Sequence, residues 1–144
     1  MLSAMNKYRC ARLLWLSLAA LTSIACSRAP VTVEGAWVRD LIGGRDTTAG
    51  YFKLRNNGNA PLTLTGARAA QARAIEMHET VTRGAGVGMR RLQPLSVPAG
   101  SELHFQPGGK HLMIFGVEQL TDPFAIELLF AERDPIMVRF ARKR

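Results

Sequence analysis

The strongest constraint on the fold is the recurrence of short strand-like segments separated by glycine, proline and asparagine turns. Apolar and polar residues alternate within most of these segments, as expected of extended chain with one buried face. The predicted strands span residues 31–39, 50–55, 62–65, 73–82, 89–95, 102–106, 111–118, 125–131 and 136–141. No long helical period interrupts them, so the sequence predicts an all-β domain, a sandwich or a barrel.

The first 26 residues have the pattern of an export signal. Lys7, Arg9 and Arg12 precede an apolar run at 13–25, and no acidic residue lies among them. The run is too short for a comfortable membrane span, which needs about 20 apolar residues. We therefore expect residues 1–26 to be a signal peptide that takes no part in the fold.

The end of this signal allows two kinds of processing. Residues 23–26 read Ser-Ile-Ala-Cys and resemble a bacterial lipobox, although Ser23 stands where leucine is usual. The same residues fit the small-residue rule of ordinary signal peptidase. A free thiol would be unusual in an oxidising compartment, which favours lipidation of Cys26. We expect a single periplasmic domain at 27–144, either anchored to a membrane by lipid at Cys26 or free.

The charge pattern argues against a nucleic-acid partner. The chain has a formal net charge of +8 at pH 7, and its basic residues are scattered. No basic stripe is interleaved with aromatic residues, as a nucleic-acid surface would require. We expect a monomer whose basic residues mainly form a solvated surface and a basic tail at 142–144. The alternative is a basic surface that steers the protein toward acidic partners or anionic lipid.

No enzyme signature accompanies the predicted strands. The chain lacks an evident Ser-His-Asp order, a pair of catalytic carboxylates and a zinc-type cysteine cluster. Its two cysteines are Cys10, inside the signal, and Cys26, so the domain has no internal disulfide framework. We therefore expect no catalytic activity and a stability that depends on an ordinary hydrophobic core.

Four residues have the chemistry of a soft metal site: His78, Met89, His111 and Met113, with 10, 21 and 1 residues between them. Two imidazoles and two thioethers suit Cu(I), and thioethers disfavour magnesium, calcium and manganese. A blue-copper electron-transfer centre would also need a cysteine thiolate, which this domain lacks. The pattern therefore favours a site that holds and exchanges Cu(I).

Folding into strands can bring these residues together. His78 and Met89 flank a predicted loop at 84–88, so they can face each other across a hairpin. Further turns at 98–100 and 107–109 would return His111 to the same end in a meander. His111 and Met113 are two residues apart on a strand and project from the same face.

Other histidines and methionines have ordinary interpretations. A single methionine on a strand is usually core packing, and a single histidine is usually a surface residue. We predict that Met77, which points to the face opposite His78, lies in the core or at its rim, that Met137 lies in the core and that His104 lies on the surface. The same reasoning applies to the four candidate ligands, so their spacing alone leaves the metal site open.

The context of the four residues resembles the periplasmic copper chaperones of the PCuAC type, formerly a family of unknown function. The pattern His-x10-Met-x21-His-x-Met is similar to the family's signature. The likeness extends over roughly residues 31–141, in the following stretches: Glu-Met-His-Glu-Thr at 76–80, Pro-Gly-Gly-Lys-His-Leu-Met at 107–113, Ala-Trp at 36–37, Ala-Gly-Tyr-Phe at 49–52 and Asn-Asn-Gly at 56–58.

This resemblance implies a cupredoxin-like β-sandwich of Greek-key or meander type. It implies that Cu(I) is bound by His78, Met89, His111 and Met113. It also implies delivery of copper to the dinuclear copper site of cytochrome c oxidase, in subunit II, with or through a thioredoxin-like chaperone of the Sco type.

Two rival functions remain open. A periplasmic copper buffer or resistance protein would use the same four ligands to sequester copper. An exported β-sandwich that binds a protein or envelope component would carry the same histidines and methionines as structural residues and bind no metal. A measurement of copper binding distinguishes the interaction domain, which would bind no metal, from the chaperone and the buffer, which would both bind copper.

Overall fold

The structure, a computed structural model, describes residues 30–84 and 86–144. The predicted signal peptide and Cys26 lie outside these ranges. Within the described ranges, no helix is long and apolar enough to cross a membrane.

Ten β-strands form the fold, and the described residues contain no helix. The strands are β1 (Val31–Arg39), β2 (Thr48–Asn56), β3 (Leu62–Arg68), β4 (Ala74–Arg83), β5 (Gly86–Arg91), β6 (Leu95–Val97), β7 (Glu102–Phe105), β8 (Lys110–Phe115), β9 (Phe124–Phe130) and β10 (Ile136–Lys143). The all-β prediction is confirmed, and β1 has the predicted bounds.

The strands pair in the order β5-β4-β8-β2-β1-β10-β9-β3-β6, and β7 also pairs with β2. We call β5-β4-β8-β2-β1 with β7 the ligand half, and β10-β9-β3-β6 the packed half. Strand β10 joins the halves, because it runs parallel to β1 and antiparallel to β9.

The core lies between the two halves. Along β9, alternate residues from Phe124 to Phe130 are buried, which is the period-2 pattern of a strand with one face inward. Phe52 of β2 stacks on Phe105 at a centroid distance of 4.5 Å and meets Phe140 of β10 edge-on at 5.8 Å. The Phe52–Phe140 contact therefore connects the halves, and the Phe52–Phe105 stack packs β7 against β2 within the ligand half.

The predicted strand at 89–95 is wrong, and so is the loop at 84–88. Strand β5 begins at Gly86, directly after a turn in which Gly84 has φ of +57°. Strand β5 ends before Pro94, which lacks a backbone N–H donor for sheet pairing. Strand β6 then pairs with β3 in the packed half.

The predicted meander is also wrong. Between β5 and β8 the chain forms two further strands: β6, which pairs with β3 of the packed half, and β7, which pairs with β2. Strand β8 reaches the candidate site by pairing directly with β4. Turn signals locate the ends of strands but do not specify which strands pair, so this topology was not visible in the sequence.

The two methionines predicted to be core residues differ in burial. Met77 is 5% exposed and belongs to the core, as predicted. The prediction for Met137 is wrong, because its side chain is 57% exposed. Along β10 the buried positions are Val138 and Phe140, so strand alternation turns Met137 outward.

Candidate metal centre

The pairing of β4 with β8 places two of the candidate ligands side by side. His78 lies directly opposite His111 in the antiparallel register. Their ring centroids are 6.1 Å apart and the ring planes are inclined by 52°. Cross-strand neighbours on one sheet face have Cβ atoms roughly 4.5–5.5 Å apart, so both imidazoles project from the same face.

The two methionines lie on the same face at either side of this histidine pair. Met113 follows His111 by two residues and lies opposite Glu76 of β4. Met89 lies opposite Thr80 on the edge strand β5, one same-face position along β4 from His78. Diagonal neighbours on a sheet face are within reach of long side chains, and methionine is such a side chain.

Three of the four residues line one cleft. Met89, His111 and Met113 contribute to a cleft of about 360 Å³, which the turn residues Pro107 and Gly108 border. His78 does not line it and lies beside His111 with a side chain 16% exposed. Met89 is the most accessible member at 59% exposure, whereas His111 is 6% exposed.

A tight turn holds His111 in place. Gly108 has φ of +76°, a conformation that favours glycine, and the amide of Gly109 bonds the carbonyl of Gln106 at 3.0 Å. The ring of His111 bonds back to this turn, with Nδ1 at 3.0 Å from the Gly109 carbonyl oxygen. A carbonyl only accepts, so Nδ1 donates, and in the neutral ring the lone pair is then on Nε2.

A different set of contacts holds His78. Its Nε2 lies 2.9 Å from Oε2 of Glu76, and Nη1 of Arg91 lies 3.0 Å from the other carboxylate oxygen. The hydrogen bond with His78 lowers the pKa of Glu76 below its usual value, with help from the Arg91 charge and against partial burial. The second nitrogen of His78, Nδ1, is buried without a hydrogen-bond partner.

These donors suit a soft metal ion. Nε2 of His111 offers a lone pair, Nδ1 of His78 is a buried polar atom without a partner, and the thioethers of Met89 and Met113 lie on the same face. Buried polar atoms are nearly always satisfied, so an unpartnered imidazole nitrogen needs an explanation. Across residues 30–84 and 86–144, no three His, Cys, Asp or Glu side chains form a metal-binding group.

His104 is separate from this centre. It lies on β7 opposite Lys53, is exposed, and has Nε2 at 3.0 Å from a carboxylate oxygen of Glu102. The structure therefore agrees with its prediction as a surface residue.

The sequence reasoning missed the residues that hold the ligands. Glu76 and Gly109 each lie two residues before a candidate histidine, and Arg91 lies opposite His78. Strand periodicity could have revealed Glu76, since residues i and i+2 share a face. The part played by Arg91 depends on the register of the hairpin, which the sequence did not give.

Comparison with solved structures defines the class of the fold. The copper-bound PCuAC domain from PmoF2 superposes with a TM-score of 0.68 at 19% identity, over 81% of this chain and 95% of that one. The Cu(I) form of DR1885 from Deinococcus radiodurans gives a TM-score of 0.65 at 28% identity, over 86% and 85%. The fold is the cupredoxin-like β-sandwich of PCuAC domains, which confirms the predicted fold and the resemblance.

Sequence comparison gives the family. The family model described as "Putative lipoprotein LpqE-like" matches residues 31–141, and the chain belongs to this family. A curated relative from Leifsonia xyli subsp. xyli, "Putative lipoprotein Lxx21020", is 35% identical over 89 residues. That match covers 61% of this chain, and the chain spans about half, 52%, of the length of this relative.

Proposed function

We propose that the protein binds one Cu(I) as cargo through His78, Met89, His111 and Met113. The observation that carries the proposal is the His78–His111 pair, with Met113 and Met89 at either side on one sheet face. Copper in the related PmoF2 and DR1885 structures supports the same cargo here. The soft donor set suits Cu(I) and disfavours harder ions.

The site is built for transfer and not only for retention. His111 is buried and fixed by the Gly109 carbonyl, so it forms the rigid side of the site. Met89 is exposed on an edge strand, so an incoming donor from another protein can replace it first. Copper would then pass by stepwise exchange, with His78 and His111 the last ligands to release it.

The acceptor is an exported copper protein. We propose delivery to the dinuclear copper site of cytochrome c oxidase subunit II, directly or through a Sco-type chaperone. The family and the Leifsonia relative are both described as "putative lipoprotein", which supports export and a lipid anchor at Cys26. An anchored carrier in the periplasm would work beside a membrane-bound oxidase.

A gene deletion tests the delivery role. Oxidase activity should fall when copper is scarce and should recover when copper is added or wild-type protein is restored. A His111→Ala, Met113→Ala protein should fail to restore it, and a Met137→Ala protein should succeed. Normal oxidase activity combined with increased copper sensitivity would contradict delivery and indicate a buffering role.

A further inference from the structure

The two histidines of the candidate centre are held at different ring nitrogens. His111 is held at Nδ1, which donates to the Gly109 carbonyl. His78 is held at Nε2, which contacts the carboxylate of Glu76 at 2.9 Å. His78 and His111 lie directly opposite each other in the β4–β8 pair. Even so, different ring nitrogens remain outside these contacts, Nδ1 in His78 and Nε2 in His111.

The contact with Glu76 specifies the tautomer of His78. An ionised carboxylate only accepts hydrogen bonds, so Nε2 of His78 carries the proton. The neutral ring then has its lone pair on Nδ1, the buried atom without a partner. This lone pair is the remaining donor through which His78 can bind a metal ion.

We propose that Glu76 is a positioning residue that makes His78 a ligand through Nδ1, whereas His111 is a ligand through Nε2. Second-shell partners of metal-bound histidines commonly fix the tautomer and the ring orientation in this way. The inference rests on the proposed function, because it describes how that site holds copper.

Arg91 completes the arrangement. It lies opposite His78 on β5, and its Nη1 is 3.0 Å from Oε1 of Glu76, the oxygen that does not face the histidine. The carboxylate is therefore held from both sides, by Arg91 and by His78. Because Arg91 and Met89 both lie on β5, this edge strand carries a proposed ligand and the anchor of Glu76.

A rival arrangement makes the opposite prediction. If copper bound Nε2 of His78, Glu76 would occupy the coordinating atom and compete with the metal. Removal of Glu76 would then strengthen copper binding, whereas the positioning role predicts that it weakens binding.

The first test uses the copper-free wild-type protein. Long-range ¹H–¹⁵N correlation spectra at alkaline pH, where imidazoles are neutral, distinguish protonated from unprotonated ring nitrogens. We expect the proton on Nε2 of His78 and on Nδ1 of His111. A proton on Nδ1 of His78 would overturn the proposal. The tautomer can be read even in a protein that binds no copper, so failure of the tautomer assignment and failure of the proposed function are distinguishable.

The second test removes Glu76. Glu76→Ala should abolish the fixed tautomer of His78 and weaken Cu(I) binding by about tenfold, the lower end of second-shell effects. Glu79→Ala is the matched control, because Glu79 lies on the same strand and pairs with Arg90 and Lys110 instead. Unchanged or tighter binding in Glu76→Ala would overturn the positioning role.

A milder variant covers the case in which Glu76→Ala does not fold. Arg91→Ala keeps Glu76 and removes only its anchor on β5. We expect the same two changes with smaller amplitude, a partial loss of the His78 tautomer and a smaller fall in Cu(I) affinity. Identical spectra and affinity to wild type would show that Arg91 takes no part.

Discussion

The outward faces of the two halves differ in whether their polar groups have partners or water. On the packed half, Arg68 and Glu127 form an ion pair and line one cleft together with the exposed Met137. On the ligand half, the outward face of β4 and β8 carries His111 at 6% exposure and His78 with an unpartnered buried nitrogen. The first face pairs its polar groups or exposes them to water, whereas the second leaves one buried nitrogen, Nδ1 of His78, without a partner.

This difference separates stability from binding. An unsatisfied buried polar atom costs roughly 1–3 kcal/mol of folding free energy. The unpartnered nitrogen of His78 therefore makes the ligand half less stable. The packed half contributes the regular buried strand β9. Binding to the free imidazole nitrogens would satisfy the donors that the fold leaves open.

The largest expected effect is on the packed half. Phe124 is fully buried on β9, so Phe124→Ala should lower the free energy of unfolding by about 3–5 kcal/mol. Urea unfolding measures the change. The Cu(I) affinity of the folded protein should stay near wild type, because Phe124 lies on β9 of the packed half and the proposed ligands lie on β4, β5 and β8. If the folded Phe124→Ala protein also lost Cu(I) affinity, the assignment of stability to the packed half and of binding to the ligand half would be wrong.

The next effect is on the ligand half. His111→Ala with Met113→Ala removes two proposed donors, and the Cu(I) affinity should fall by more than about 100-fold, since even second-shell changes cost roughly 10–100-fold. Competition with a chromophoric Cu(I) chelator measures it. His104→Ala is the matched control and should keep wild-type affinity, because His104 pairs with Glu102 on β7. Full affinity in the double variant would refute the site.

Two exposed methionines sharpen the comparison further. Met89 and Met137 are 59% and 57% exposed, one on each half. Met89→Ala should weaken Cu(I) binding about tenfold, or about 1.4 kcal/mol, and Met137→Ala should leave it unchanged. The same chelator competition measures both. Equal effects of the two changes would mean that exposure, and not position beside the histidines, determines the response.

The smallest effect concerns the connection between the halves. Asp40, which follows β1, pairs with Arg142 of β10, and the hydrogen bond from Arg142 lowers the pKa of Asp40. A lowered carboxyl pKa contributes stability above the unfolded pKa and loses it as the pH falls through the folded pKa. Asp40→Asn should therefore be less stable than wild type near neutral pH, with the difference vanishing in acid.

Urea unfolding of both proteins across this pH range measures the difference. Asp46→Asn is a suitable control, because Asp46 is exposed and, among the residues that the structure describes, its carboxylate accepts a hydrogen bond only from the neighbouring Thr47 hydroxyl. A difference between Asp40→Asn and wild type that persisted unchanged into acid would contradict the electrostatic origin.

The sequence predicted local features better than pairings. Alternation located β1 and the inward Met77, and the spacing of His111 and Met113 placed both on one face of a strand. The direct pairing of β4 with β8 is a long-range contact, which no local pattern encodes. The orienting contacts of Glu76 with His78 and Arg91 depend on that register, so they appeared only with the structure.

The central claim is that the histidine and methionine face binds Cu(I), and an anaerobic titration of the wild-type protein against a chromophoric Cu(I) chelator tests it most directly. The account predicts that the protein takes copper from the chelator until one equivalent is bound. A protein that left all copper with the chelator would contradict the account and favour an exported interaction domain without metal.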